Sequence, residues 1–326
     1  MSQRSYSPDE LKTTLAGGLI PAVPVTFDRE GRFHERAHEA YVSFMSSQPI
    51  AGLAVWAHTG RGLLLDEGTA KHVLRQWREA IADKPLLAGA GTANQQLTPQ
   101  QATSATLSMA STAAADGADG LLVYPPTWLK HHEHRDALIV EHHEQLSKLG
   151  LPLVLFSLYE AAGGITYTTA VLDELLTLPN VIGIKMATLD SVMTYQDVAS
   201  HLQSEHPDKL LVTGEDRFLG YSLRRGGKAA LIGMGAVCSE LQAELIAAHF
   251  AGRAERFLEL SDAVDRLAEV LFIQPMEGYI GRILYALAKL GVIPREGAND
   301  PWGPALTTRE FDNIDRLLSS LYAQVE

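Results

Sequence analysis

An α/β protein built as a (β/α)8 barrel with a C-terminal helical extension is what this sequence predicts, on three observations. Eight short runs rich in Val, Ile, Leu, Gly and Ala punctuate the chain. Most return after about thirty residues, the length of one strand plus one crossover helix in a parallel sheet. The stretches between them space their apolar residues as helices do. No Gly-x-Gly-x-x-Gly opens the first helix, and Gly89-Ala90-Gly91 is too short a match. A closed barrel is therefore preferred over an open, dinucleotide-binding sheet.

In chain order the expected strands are Gly18 to Val25, Gly52 to Trp56, Pro85 to Gly91, Gly120 to Tyr124, Pro152 to Phe156, Val181 to Lys185, Leu210 to Gly214 and Ala229 to Met234. Helical spacing covers Glu35 to Ser46, Glu67 to Ile81, Pro99 to Ala115, Arg135 to Leu149, Thr168 to Leu178 and Ser191 to Glu205. Beyond the eighth strand, Ser239 to Phe250, Ala254 to Phe272, Gly278 to Leu290 and Thr308 to Gln324 read as further helices. The last is reached through a Gly-, Pro-, Asn- and Asp-rich loop from Pro294 to Pro304. Residues 15–238 are expected to form the barrel and 239–326 the extension.

With 46% hydrophobic and 20% charged residues, the chain can bury a large core. A net charge of -12 and scattered Lys and Arg argue against a nucleic-acid partner, because neutralising phosphates needs clustered cations. The lone cysteine, Cys238, excludes an intrachain disulfide and a multi-thiolate metal site, and reads as a small buried hydrophobe. Met1 to Tyr6 holds no apolar leader core, and no uninterrupted apolar stretch reaches the roughly 18 residues of a membrane span. A cytoplasmic protein with no membrane partner is the expectation.

In a barrel of this kind the chemistry sits at the C-terminal ends of the strands. Lys185 ends the sixth run, Val181-Ile182-Gly183-Ile184-Lys185, where an amine emerges from apolar surroundings. A desolvated lysine moves from a pKa of ~10.4 toward ~7–8, which frees its lone pair to attack a carbonyl and form a Schiff base. The other reading is a strand-end lysine reaching solvent. The second run leads into Ala57-His58-Thr59-Gly60-Arg61-Gly62, a turn that either holds a carboxylate or simply joins strand to helix. His131, His132, His134, His142 and His143 gather around the fourth connection without a completing carboxylate, and read as a solvated helical face rather than a metal site.

Together these motifs resemble the dihydrodipicolinate synthase / N-acetylneuraminate lyase family of class I aldolases, from Leu15 to about Ile293. Gly183-Ile184-Lys185-Met186-Ala187 is similar to the Gly-Ile-Lys-x-Ala pattern around that family's Schiff-base lysine. Ala57-His58-Thr59-Gly60-Arg61 looks like its carboxylate-binding Gly-Thr-Thr-Gly-Glu turn, and Gly214-Glu215-Asp216 like the Gly-Asp/Glu-Asp after its seventh strand. The resemblance implies a homotetramer or homodimer acting on pyruvate or another 2-keto acid. It implies no cofactor and no metal, even at the Glu215-Asp216 pair, because the iminium is itself the electron sink. Lys185 would condense with the keto carbon while Thr59, Gly60 and the strand-eight turn Leu231-Ile232-Gly233 hold the carboxylate.

The departures fall on the residues that choose the substrate. The family ends strand five with a proton-relaying tyrosine. Here the register of Leu153-Val154-Leu155-Phe156-Ser157-Leu158-Tyr159 puts Phe156 in that slot, and a phenyl ring neither donates nor accepts a proton. Either Tyr159 swings into the site, or His58, in the usual threonine position, takes over the acid–base work. Thr127 and Trp128 stand where a tyrosine pair would continue. Trp128 reads either as a substrate wall, as in the hydratase-aldolase branch that handles aryl-substituted pyruvates, or as a helix-packing residue. Glu160-Ala161-Ala162-Gly163-Gly164 lacks the arginine with which the synthase grips its second substrate, so a role in lysine biosynthesis is not expected. Arg61 either engages a distal carboxylate or hydroxyl or closes an internal ion pair. The expected function is a Schiff-base lyase, aldolase or dehydratase. The alternatives are a 2-keto-3-deoxy-sugar-acid dehydratase and a non-catalytic 2-keto-acid-binding homologue.

Overall fold

The structure, a computed structural model, describes residues 6–322. Its strands are β1 (Leu19–Pro21), β2 (Leu53–Val55), β3 (Leu86–Ala90), β4 (Gly120–Val123), β5 (Leu153–Leu158), β6 (Val181–Ala187), β7 (Leu210–Thr213) and β8 (Ala229–Ile232). They form one eight-stranded sheet in the order β1-β8-β7-β6-β5-β4-β3-β2. The ring closes where Ala22 bridges Ala54 in parallel and the Val23 amide donates to the Ala54 carbonyl at 3.1 Å. This is the (β/α)8, or TIM, barrel that the spacing predicts.

The helices are α1 (Pro8–Leu15), α2 (Glu35–Ser46), α3 (Glu67–Ala80), α4 (Pro99–Ala115), α5 (Arg135–Ser147), α6 (Thr169–Thr177), α7 (Val192–Glu205), α8 (Leu219–Arg224), α9 (Ser239–Phe250), α10 (Ala254–Leu271), α11 (Tyr279–Lys289) and α12 (Thr308–Tyr322). Side-chain caps start many of them: Asp66, Thr168 and Ser191 each accept from an amide three residues on, and Thr98 forms a capping box with Gln101. Of the expected helix Thr308 to Gln324, the last two residues lie outside the described residues. Among the described residues, no helix is long and apolar enough to cross a membrane.

Strand residues alternate between two cores, as the two-residue period of a strand requires. Ile20, Ala54, Leu87, Leu122, Val154 and Leu231 fill the barrel, while Leu19, Leu53, Leu86, Leu121, Leu155 and Ile232 face the helices. Helix α1, which the strand count passes over, plugs the lower end of the barrel. Leu11 and Leu15 join the inner core there, and a Cβ on Gly120 would stand 2.8 Å from Leu11, one on Gly52 3.0 Å from Leu15. Its signal was in the sequence: Ser7 and Glu10 form a capping box, with Pro8 opening the helix.

Strand β6 corrects one expectation, since it runs past Lys185 to Ala187, paired with β5 as far as Leu158↔Ala187. Val181 stands opposite Leu153 and Gly183 opposite Val154, so Ile182 is an extra residue. A bulge of this kind re-aims the side chains that follow it. Lys185 is consequently directed into the barrel, where its Nζ lies 4.2 Å from the centroid of the inner-core Phe156 ring.

Candidate active site

Lys185 is 5% exposed and sits between Phe156 on β5 and Val212 on β7. Gly214 makes room for it, because a Cβ there would come within 2.6 Å of the lysine Cε. Burial pushes the amine down to about 8, against the raising influence of Asp216 and then Glu215. Burial likewise raises both carboxyls above their ordinary range. Asp216 accepts the Met234 amide at 2.7 Å, which ties the turn after β7 to the turn after β8. Glu215 accepts from the Thr188 amide (2.8 Å), the Thr188 hydroxyl (2.9 Å) and the Leu189 amide (2.8 Å), fixing the loop that follows β6. The Glu215-Asp216 pair thus braces the lysine strand. Neither residue joins a group of metal-ligating side chains among the described residues.

At the same barrel face, the turn after β2 presents His58, Thr59 and Arg61 to a segment that sequence reasoning did not single out. Glu277 lies in the short connection between α10 and α11. Its carboxylate is 3.0 and 3.2 Å from His58 Nε2, takes a 2.6 Å hydrogen bond from Arg61 Nη1, and accepts the Tyr159 hydroxyl. Tyr159 also lies 3.4 Å from His58 Nε2. Burial would raise Glu277, but His58, Tyr159 and Arg61 outweigh it and hold the carboxyl at about 2. Burial, reinforced by Tyr279 and Glu277, raises the Tyr159 phenol, so it stays protonated as a donor. The two candidates left as alternatives by the sequence, Tyr159 and His58, therefore meet on one carboxylate.

Arg61 forms the internal ion pair that was one of its two readings. Its guanidinium grips Asp300 with two bonds (2.7 and 3.2 Å) besides Glu277, at 7% exposure for Arg61 and 4% for Asp300. The residue adopts a left-handed backbone (φ 52) as it leaves the turn. Thr59 Oγ1 lies 3.0 Å from the Tyr279 hydroxyl, and a Cβ on Gly233 would come 3.0 Å from that Thr59 oxygen. Thr59 and the Gly233 turn are thus adjacent, as a shared carboxylate site requires. Gly60 is a correction: its amide donates to the Ala57 carbonyl at 3.0 Å and is spent closing the turn. The Leu231 side chain faces the barrel interior, and that of Ile232 faces the helices.

A cavity of about 200 Å3 opens beside this network, lined by His58, Arg61, Tyr124, Thr127, Leu158 and other mouth residues. Trp128 is not among them. Its ring packs edge-on to His142 at 5.4 Å, in a cleft between α4 and α5 with Thr103 and Leu138, so it takes the helix-packing alternative. The histidine group is corrected as well. His142 and His143 are buried, not solvated, with Thr103 at 2.9 Å from the first and the Ile139 carbonyl at 2.7 Å from the second. Burial drives both well below the ordinary histidine range, His143 to about 4. Cys238 is buried, as expected.

A closed parallel barrel carrying a buried lysine, its amine pushed down to about 8, on its sixth strand defines a lyase of the class I, Schiff-base aldolase type. The chain belongs to the Dihydrodipicolinate synthetase family, whose model matches residues 15–320. It is 27% identical over 305 residues to a 4-hydroxy-tetrahydrodipicolinate synthase of Bartonella tribocorum, covering 93% of this chain and 97% of that one. Identity to the enzyme of the same name from Brucella abortus biovar 1 is 28% over 282 residues, 85% and 89% of the two chains. Among solved structures, a dihydrodipicolinate synthase from Thermotoga maritima superposes with a TM-score of 0.81 at 22% identity, covering 94% of this chain and 98% of that one. An N-acetylneuraminate lyase from Mycoplasma synoviae does so at 0.74 and 20% identity, with the same coverage. The two structures share the fold.

Proposed function

We propose that this enzyme forms an imine between Lys185 and the keto carbon of pyruvate or another 2-keto acid, and that it is not a lysine-biosynthesis enzyme. The observation that carries the reading is the buried Lys185 amine, pushed down to about 8 and therefore partly neutral near pH 7. Its attack on the keto carbon gives a carbinolamine, and loss of water gives the imine. Removal of a C3 proton then leaves an enamine. From that enamine either a carbon–carbon bond forms to an aldehyde, with cleavage as the reverse, or a C4 hydroxyl departs as water. Thr59 and the turn at Gly233 hold the carboxylate. His58, Tyr159 and Glu277 move the protons, with Tyr159 supplying the hydroxyl that Phe156 lacks.

Loss of the second-substrate arginine, in Glu160 to Gly164, supports a substrate other than the synthase's. The connected relay supports a working lyase over a non-catalytic binder. The chain works as a cytoplasmic homotetramer or homodimer in this reading, with residues 239–326 an extension that completes the site of the 15–238 barrel through Glu277 and Asp300.

Borohydride reduction in the presence of pyruvate, followed by peptide mass mapping, tests the imine. A reduced adduct is expected on Lys185 and none in Lys185→Ala. No adduct with pyruvate or a panel of longer 2-keto acids overturns the reading. Release of pyruvate from an added 2-keto acid then identifies an aldolase, and loss of water without pyruvate a dehydratase.

A further inference from the structure

We propose that Asp173, His201 and His206 form a binding site for a divalent transition-metal ion of the zinc class, on the outside of the barrel and separate from the imine chemistry. Asp173 lies on α6, His201 near the end of α7, and His206 is the residue that caps α7. The Nε2 atoms of both histidines lie 2.7 Å from one oxygen of the Asp173 carboxylate, Oδ1. One donor atom from each of the three residues falls within 4.8 Å of the other two, and no other such group occurs among the described residues.

The donor set matches the ion. Two imidazole nitrogens and a carboxylate oxygen are what a borderline cation takes, at roughly 2.0–2.2 Å, which places tetrahedral ligand atoms about 3.3 Å apart. Each 2.7 Å contact opens by about 0.6 Å to reach that spacing, while the two histidine nitrogens, within 4.8 Å of one another, settle on the same ion. The histidines are not sealed in: their side chains are 18% and 13% exposed, and that of Asp173 45%. An ion can therefore enter, and a water can take the fourth position. His201 and His206 also stand at the C-terminal end of α7, where the helix dipole favours a positive charge.

The location gives the site a structural job. Helix α6 leads into β6, the lysine strand, and α7 leads out of it. An ion on these ligands ties the two helices that flank Lys185's strand. Because α7 ends where the chain turns back to begin β7, the tie lies at the end of the barrel away from the catalytic mouth. The histidines that crowd the sequence do not compete as a built site. His142 and His143 are buried on Thr103 and Ile139, and His131, His132 and His134 bring no carboxylate into a three-ligand group.

Isothermal titration of chelator-treated, full-length protein with zinc chloride tests the proposal. One equivalent per chain is expected, together with a rise in Tm at saturating zinc. His201→Ala, His206→Ala and Asp173→Asn should each weaken binding at least 10-fold. The combined His131→Ala, His132→Ala, His134→Ala variant should bind as the wild type does. Circular dichroism checks that each variant is folded, and the partly exposed Asp173→Asn is the variant least able to disturb folding. No stoichiometric binding by the wild type overturns the proposal. So does undiminished binding by folded Asp173→Asn together with His201→Ala/His206→Ala, since the ion would then sit on other surface histidines.

Discussion

Lys185 was legible as a residue because apolar neighbours and a charge in one short run are a local pattern. Its burial adds a pH signature. With the amine at about 8, roughly one lysine in ten is neutral at pH 7, against fewer than one in a thousand for an ordinary lysine near 10.4. In the proposed mechanism the neutral amine is the nucleophile, so imine formation should climb about tenfold per pH unit below that value and level off above it. Rapid-quench borohydride trapping across pH 6 to 10 reads this directly. A rate still rising steeply past pH 9.5 is the outcome that sinks it. For the relay, Tyr159→Phe is expected to lower kcat by about 10²–10⁴-fold while leaving the Lys185 adduct intact. Glu277→Gln should lower kcat and change the pH profile, because His58 and Tyr159 lose their shared anion. Unchanged turnover in both would remove the relay assignment. Glu277 could not be read ahead of the structure. Its partners His58 and Tyr159 are 219 and 118 positions away in the chain, and no local spacing encodes such a meeting.

Among the elements, long periodic ones were readable: α2, α4 and α9 have the bounds their apolar spacing predicts. Helix α8 was not, since six residues are too few to show a period and no side chain caps its start. Strand β6 exceeded its pattern because its length is set by pairing with β5, a tertiary matter that apolarity along one strand does not record. The turn after β2 shows what packing adds to a motif. Its Arg61 is the clamp between that turn and the segment carrying Glu277 and Asp300. Arg61→Ala leaves a buried Asp300 carboxylate unpaired, and urea unfolding should report a loss of about 3–5 kcal/mol. A loss under about 1 kcal/mol would mean that the clamp holds nothing.

For the molecule as a whole, the barrel was legible because a β-α unit repeats and repetition is visible in a linear string. What covers its outer surface is not. Met193 on α7 and Leu258 on α10 are 70% and 64% exposed, and Phe250 at the end of α9 is 49% exposed. Large apolar side chains so far into solvent suit contact with a second copy of the chain. Sedimentation velocity should then give a multiple of the 35.4 kDa chain mass, and Leu258→Lys with Met193→Lys should shift it toward one chain. A wild type that sediments as one chain at micromolar concentration would overturn the oligomer.

The Glu277 contact also gives the site an order of assembly in time. His58, Tyr159 and Lys185 are all synthesised before the carboxylate that joins the first two, and Asp300, which steadies Arg61 beside it, comes later still. On a translating ribosome the barrel strands therefore emerge with Lys185 but without the carboxylate that His58 and Tyr159 share. Tyr279, which meets the Thr59 hydroxyl, is likewise made only after every strand of the barrel.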